Sequence, residues 1–278
     1  MNGIKTAALL GLMSALLVFA GRAIGGPNGM VYGLGLAVVM NFFSYFFSEK
    51  MALAASGALP LTETENPEIY RRVAPIVKRI ADRMELPMPK LWVTPEPSPN
   101  AFATGRNPSH SSVAVTAGLV QLMNDNELEG VLAHEMGHVK HRDILISSVA
   151  ATLAAAITYM AQMALWFGGG RRDDDDAPSP LAGLLMLILG PLAASLIQMA
   201  ISRSREFSAD EAAARVMGSG HPLADALGKL EGWSQRIPMD AQPAMAHMYI
   251  MKPAGLMRLF STHPPTEERI ARLRSLVL

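Results

Sequence analysis

The chain has 278 residues, half of them hydrophobic and only 17% charged, with zero formal net charge and no cysteine. The balanced charge argues against a nucleic-acid surface, and the missing cysteines exclude disulfides and thiolate metal sites. So little charge against so much clustered apolar content points to membrane spans.

Four uncharged runs cover residues 6–21, 23–48, 144–170 and 177–202. Crossing the hydrocarbon takes about 20 residues. The first run is marginal and could be read as a signal peptide with Lys5 as its basic flank. The second run follows almost at once across "GGPNGM", which favours a helical hairpin. The chain then divides into an N-terminal transmembrane hairpin (1–48), a polar block (49–143), a second hairpin (144–202) and a second polar block (203–278). An even number of spans puts both polar blocks on one side, where they can form one domain. Lys5, Lys50, Lys140, Arg142, Arg203 and Arg205 flank the spans on that side. Only Arg22, Arg171 and Arg172 lie on the other, so the polar blocks are expected in the cytoplasm. The run "RRDDDD" is a mild counter-signal, read as a solvated turn.

In the first polar block, apolar Ile69, Val73, Ile76, Val77, Ile80 and Met84 predict a helix over 66–86, with a kink or break at Pro75. Short strands are expected at 91–94, 101–104 and 112–116, punctuated by Pro and Gly. Asn124 with Glu127 resembles a capping box opening a helix near 124. Further helices are expected at 206–217, 222–235 and 267–278. The fold class is therefore mainly α with a small β-sheet.

The helix after Asn124 carries "HEMGH" at 134–138. Residues four apart share a helical face, so His134 and His138 can turn to one ion while Glu135 reaches a water there as general base. A catalytic zinc needs a third ligand. Residue 144 is Ile, so no third histidine follows in the metzincin manner. His141 lies a turn too far, and His110, His221 and His247 lack helical context. Spans three and four, running out and back, return "SRSREFSAD" to the level of His138, which makes Glu206 the expected third ligand. Asp210, four residues on, suits a carboxylate accepting the N–H of a ligand histidine. His263, fixed by Pro264 and Pro265, and Arg203 are candidate donors to an oxyanion. The stretch from Asn100 through Ala101, Phe102, Ala103 and Thr104, flanked by prolines, is expected to be an edge strand that pairs with an extended substrate. The methionine-rich stretch 239–257 could cover the cleft or touch the membrane.

Together, "NAFATG", "HEMGH", "SRSREFSAD", "STHPPTEER" and the two hairpins resemble the HtpX family of membrane zinc metalloproteases, relatives of the CAAX prenyl proteases. The resemblance implies four transmembrane helices and a cytoplasmic zincin-type (gluzincin) α+β protease domain. It implies one Zn2+ per subunit, held by His134, His138 and Glu206, with Glu135 as catalytic base, and it supports a transition-state role for His263. It also implies the bacterial inner membrane, removal of misfolded or damaged membrane proteins under stress, and a functional link with an FtsH-type protease. Two alternatives stand beside this reading. One is a narrow CAAX-type processing protease. The other is a catalytically silent scaffold that keeps zinc for structure.

Overall fold

The computed structural model describes residues 2–150, 203–234 and 264–278. Most of span three, all of span four, His247, His263 and the methionine-rich stretch lie outside the described residues.

The N-terminal helical element α1 (Asn2–Ala55) folds back on itself. Gly26 takes a left-handed φ of 61°, which L side chains resist, and Pro27 follows it. The returning backbone touches the outgoing one at Gly21 and Gly29. Lower down, the Asn41 amide donates to the Ser14 hydroxyl at 2.8 Å and the Leu10 carbonyl at 3.3 Å. Such polar links hold apolar helices together where the hydrophobic effect cannot. The second arm, Gly26–Ala55, is long and apolar enough to cross a membrane, and the shorter apolar stretch Gly3–Phe19 forms the first. Phe42, Phe43, Phe46, Val38 and Leu34 stand exposed along the second arm. The expected N-terminal hairpin is thus present as a folded-back pair, and membrane association rests on its apolar surface.

Next come β1 (Leu59–Pro60) and α2 (Pro67–Met84). Helix α2 buries Val73, Ile76, Val77, Ile80 and Met84, the face that the spacing predicts. Of the expected kink or break at Pro75 the break is absent, and the helix runs on from Pro67 to Met84. Packing of that apolar face outweighs the lost backbone hydrogen bond. Strands β2 (Lys90–Thr94), β3 (Ala101–Asn107) and β4 (His110–Thr116) complete a sheet of order β1-β2-β4-β3. Strands β2 and β4 are parallel, and the other two pairs are antiparallel. Ala101–Gly105 of "NAFATG" thus lie in the terminal strand of the sheet among the described residues. Side chains alternate across the sheet. Ala101, Ala103, Val113 and Val115 face the helical core, while Phe102 and Ala114 pack on Ala52 and Leu53 at the foot of α1.

A short helix, α3 (Ala117–Leu122), leads into α4 (Asp125–Lys140). Neither β1 nor α3 carries a periodic signal long enough to read from sequence. The capping box of α4 is formed: Asn124 accepts from the Glu127 N–H at 3.0 Å, and Glu127 accepts from the Asn124 N–H at 2.9 Å. Leu128, Val131, Leu132, Ala133, Met136 and Val139 are fully buried, so α4 is the central post of the domain. Each large aliphatic side chain among them contributes about 1.5–3 kcal/mol by leaving water. Around α4 stand α2, the sheet, α5 (Arg203–Met217), α6 (His221–Ser234) and α7 (Thr266–Ser275). Residues 144–150 are helical, and Val149 and Ala150 pack on Leu9 and Met13 of α1. The start of the third apolar run is thereby tied to the first.

Candidate metal centre

The site is built where α4 meets α5. Gly137 of "HEMGH" lies directly against α5, and a methyl there would stand 3.0 Å from the Ala209 Cα. A side chain at 137 would have to push α5 away. Glycine at 137 and the small Ala209 together bring Glu206 within reach of α4.

His134, His138 and Glu206 converge. The two Nε2 atoms are 3.2 Å apart. Glu206 Oε2 lies 3.7 Å from His134 Nε2, and Oε1 lies 3.5 Å from His138 Nε2. Ligands of a tetrahedral ion bound at about 2.0–2.1 Å stand about 3.3 Å from one another. The separations and the His–His–carboxylate set therefore fit a metal of catalytic type.

Both imidazoles are oriented from behind. His134 Nδ1 donates to Asp210 at 2.9 Å, the contact expected of Asp210. His138 Nδ1 donates to Asp143 at 3.2 Å. Arg142, at a left-handed φ of 57°, makes the turn that folds Asp143 back under His138. That contact is five residues apart and not helical, so periodicity does not reveal it. From α7, Arg269 grips Asp210 through Nη2 at 2.7 Å and Nε at 2.9 Å, and its Nη1 lies 3.6 Å from Glu206. Arg269 stands six residues after His263 in "HPPTEER", beyond the part of the motif that draws attention. Of the two arginines beside Glu206, Arg203 is exposed and Arg205 is buried. Arg205 stands one turn before Ala209 on the face turned to α4, and its charge faces Asp143 and Glu206. The oxyanion-donor expectation for Arg203 thus meets an outward-facing side chain. His110, His141 and His221 are exposed and outside the cluster.

The charge balance points the same way. Glu135, Asp143, Glu206, Asp210, Arg205 and Arg269 are all buried. Among the described residues, four buried carboxylates against two guanidiniums leave two negative charges, which a divalent cation neutralises. In the metal-free protein, protons take that place. Burial, then the charge of Glu206, pushes the Glu135 carboxyl up to about 7. Burial works against a charged His138, but the Asp143 hydrogen bond and the Glu206 and Glu135 charges override it and push it up to about 9. Burial dominates at His134 and lowers it. Burial also opposes ionised Asp210, but Arg269 overrides it and holds that carboxyl below its ordinary range.

A pH dependence follows. A metal needs neutral imidazole, so binding at pH 7 must displace the His138 proton. Apparent metal affinity should rise about tenfold per pH unit from 7 towards 9 through this group, then flatten. Competition with a chromophoric chelator across that range measures it, and a flat profile would contradict the assignment.

Glu135 itself accepts a hydrogen bond from the Ala103 backbone. Just before β3, the Asn100 carbonyl accepts from the Thr116 N–H at 2.9 Å and its N–H donates to the Thr116 hydroxyl at 2.8 Å, so Asn100 points its peptide groups towards β4. Alternation then turns the peptide groups of Ala101 and Ala103 to the outer edge. A buried carboxylate, three ligands and an edge strand are thus assembled in one place.

Residues 67–277 match the sequence profile of peptidase family M48. The chain belongs to peptidase family M48. An M48 relative from Desulfatibacillum aliphaticivorans, a protease HtpX homolog, is 52% identical over 279 residues, covering 98% of this chain and 89% of that one. The protease HtpX homolog of Thermodesulfovibrio yellowstonii is 51% identical over 282 residues, covering 99% of both. The crystal structure of S. mikatae Ste24p aligns with a TM-score of 0.50 at 20% identity, over 98% of this chain. This chain spans 65% of that protein's length, and the likeness extends to the fold. As an M48 member the chain is a membrane-associated metalloprotease, and its substrates are peptides or proteins.

Proposed function

We propose that the chain is a zinc-dependent endopeptidase of the bacterial inner membrane that cleaves misfolded or damaged membrane and membrane-proximal proteins on the cytoplasmic side. In this reading the chain crosses the membrane four times. His134, His138 and Glu206 hold one zinc ion, a choice favoured by their nitrogen and oxygen donors. The observation that carries the reading is Glu135 lying between these ligands and the Ala103 amide of the edge strand.

Zinc held there supplies Lewis acidity to a scissile carbonyl and makes water more acidic. Glu135 does the proton work: its carboxylate takes a proton from water and passes it to the leaving amine nitrogen. A buried carboxylate within reach of both the water and the leaving nitrogen suits both transfers. Asp210 and Asp143 fix the ring orientations of His134 and His138. The edge strand, through Ala101 and the Ala103 carbonyl, aligns an extended substrate by main-chain pairing, while the Ala103 N–H stays with Glu135. Such pairing ignores side-chain identity and suits unfolded segments of many sequences. Damaged membrane proteins present such segments at the bilayer surface, close to the foot of α1.

The test is the product pattern from unfolded casein incubated with the purified full chain. Cuts at many positions, abolished by chelation, are expected. One cut per substrate would instead support the narrow processing protease.

A further inference from the structure

A pocket lies away from the metal centre, where the exposed apolar arm of α1 meets the sheet. It encloses about 180 Å³ and is lined by Tyr45, Phe46, Lys50, Lys90, Arg106 and His110, with Ser48 and Glu49 completing the wall. We propose that this pocket binds the phosphate headgroup of an anionic phospholipid through Lys50, Lys90 and Arg106.

Charge comes first. Three cations face a single carboxylate, Glu49, which already accepts from the Ser112 hydroxyl at 2.8 Å and from Lys90 at 3.4 Å. Arg106 has no carboxylate partner among the described residues. Its guanidinium lies 5.5 Å from the Phe46 ring centroid, and the Lys50 ammonium lies 5.7 Å from the Phe47 ring. Ring faces hold these cations in place without neutralising them. Position comes second. Phe42, Phe43 and Phe46 are about half exposed, and one turn later the arm becomes polar at Ser48, Glu49 and Lys50. A pocket at the boundary between an apolar helix surface and a polar domain stands at headgroup depth, with its aromatic wall against acyl chains. A lipid, unlike a free anion, satisfies both walls at once.

The pocket also bears on the protease site. Arg106 is three residues along β3 from Ala103, whose amide holds Glu135. A headgroup on Arg106 ties the far end of the strand that holds Glu135 to the membrane surface.

The inference rests on the second arm of α1 lying in a bilayer. Wild type and a Lys90→Gln/Arg106→Gln variant are placed in nanodiscs of phosphatidylcholine containing a minor share of phosphatidylglycerol. Lipid retained by the full chain is then counted by native mass spectrometry. Wild type should retain phosphatidylglycerol in preference to phosphatidylcholine. The variant should lose that preference on the order of tenfold, with casein cleavage in pure phosphatidylcholine unchanged. Equal retention by both proteins, once embedded, would overturn the headgroup site alone. Failure of either protein to enter nanodiscs would overturn the membrane placement and this inference with it. Inorganic phosphate at matched ionic strength should leave the lipid bound, and its displacement would overturn the lipid assignment in favour of a free anion.

Discussion

Glu135→Gln should lower kcat on the order of 10²–10⁴-fold while metal content stays at the wild-type level. The substitution keeps the shape of the side chain, and a Gln oxygen can still accept from the Ala103 N–H that Glu135 now holds. What it removes is the proton acceptor. KM should change little, because substrate alignment belongs to β3 and not to this carboxylate. The split separates two accounts of the site. A scaffold that keeps metal only for structure has no use for a buried base at 135. Casein or fluorogenic-peptide kinetics beside metal analysis reads the outcome, and wild-type kcat in the variant would sink the proton-transfer role.

Arg269→Ala should destabilise the chain by about 3–5 kcal/mol, because it leaves the buried Asp210 carboxylate, and in part Glu206, without compensation. A thermal transition lower by on the order of 10 °C is the expected readout. Arg269 and Asp210 are both only 2% exposed, so solvent does not screen the loss. A double change, Arg269→Met with Asp210→Leu, separates packing from function. Replacing the whole pair by apolar groups should recover most of the stability. Metal affinity should stay lower by about 10–100-fold, because His134 would have lost the acceptor that orients it. A double variant with wild-type affinity would show that Asp210 has no part in positioning the ring.

Local signals made much of this molecule legible in its residues. Asn124 and Glu127 announce α4 through a capping box that needs no tertiary knowledge. The 3.6-residue spacing of α2 names its buried face, and Pro-flanked "NAFATG" reads as a strand that ends the sheet among the described residues. The pairing of Glu206 with two histidines about 70 residues earlier is legible because two apolar runs of similar length separate them, a topological signal independent of contacts. What stayed hidden depends on turns and distant helices. Asp143 reaches His138 only through the left-handed turn at Arg142. Arg269 arrives on a helix whose docking angle no periodicity records. That Arg205 is buried and Arg203 exposed depends on which side of α5 meets α4, and the Gly137–Ala209 contact sets that side. Pro75 errs the other way: a local rule predicts a break that a long apolar face overrides.

In the proposed function, one divalent ion is held jointly by "HEMGH" and by α5, the helix that follows the fourth apolar run. The most direct test is metal analysis of the purified wild type beside Glu206→Gln and His134→Ala. One equivalent of zinc in the wild type and a severe loss in both variants is the predicted result. Full zinc occupancy in Glu206→Gln would show that the third ligand lies elsewhere and would contradict the account.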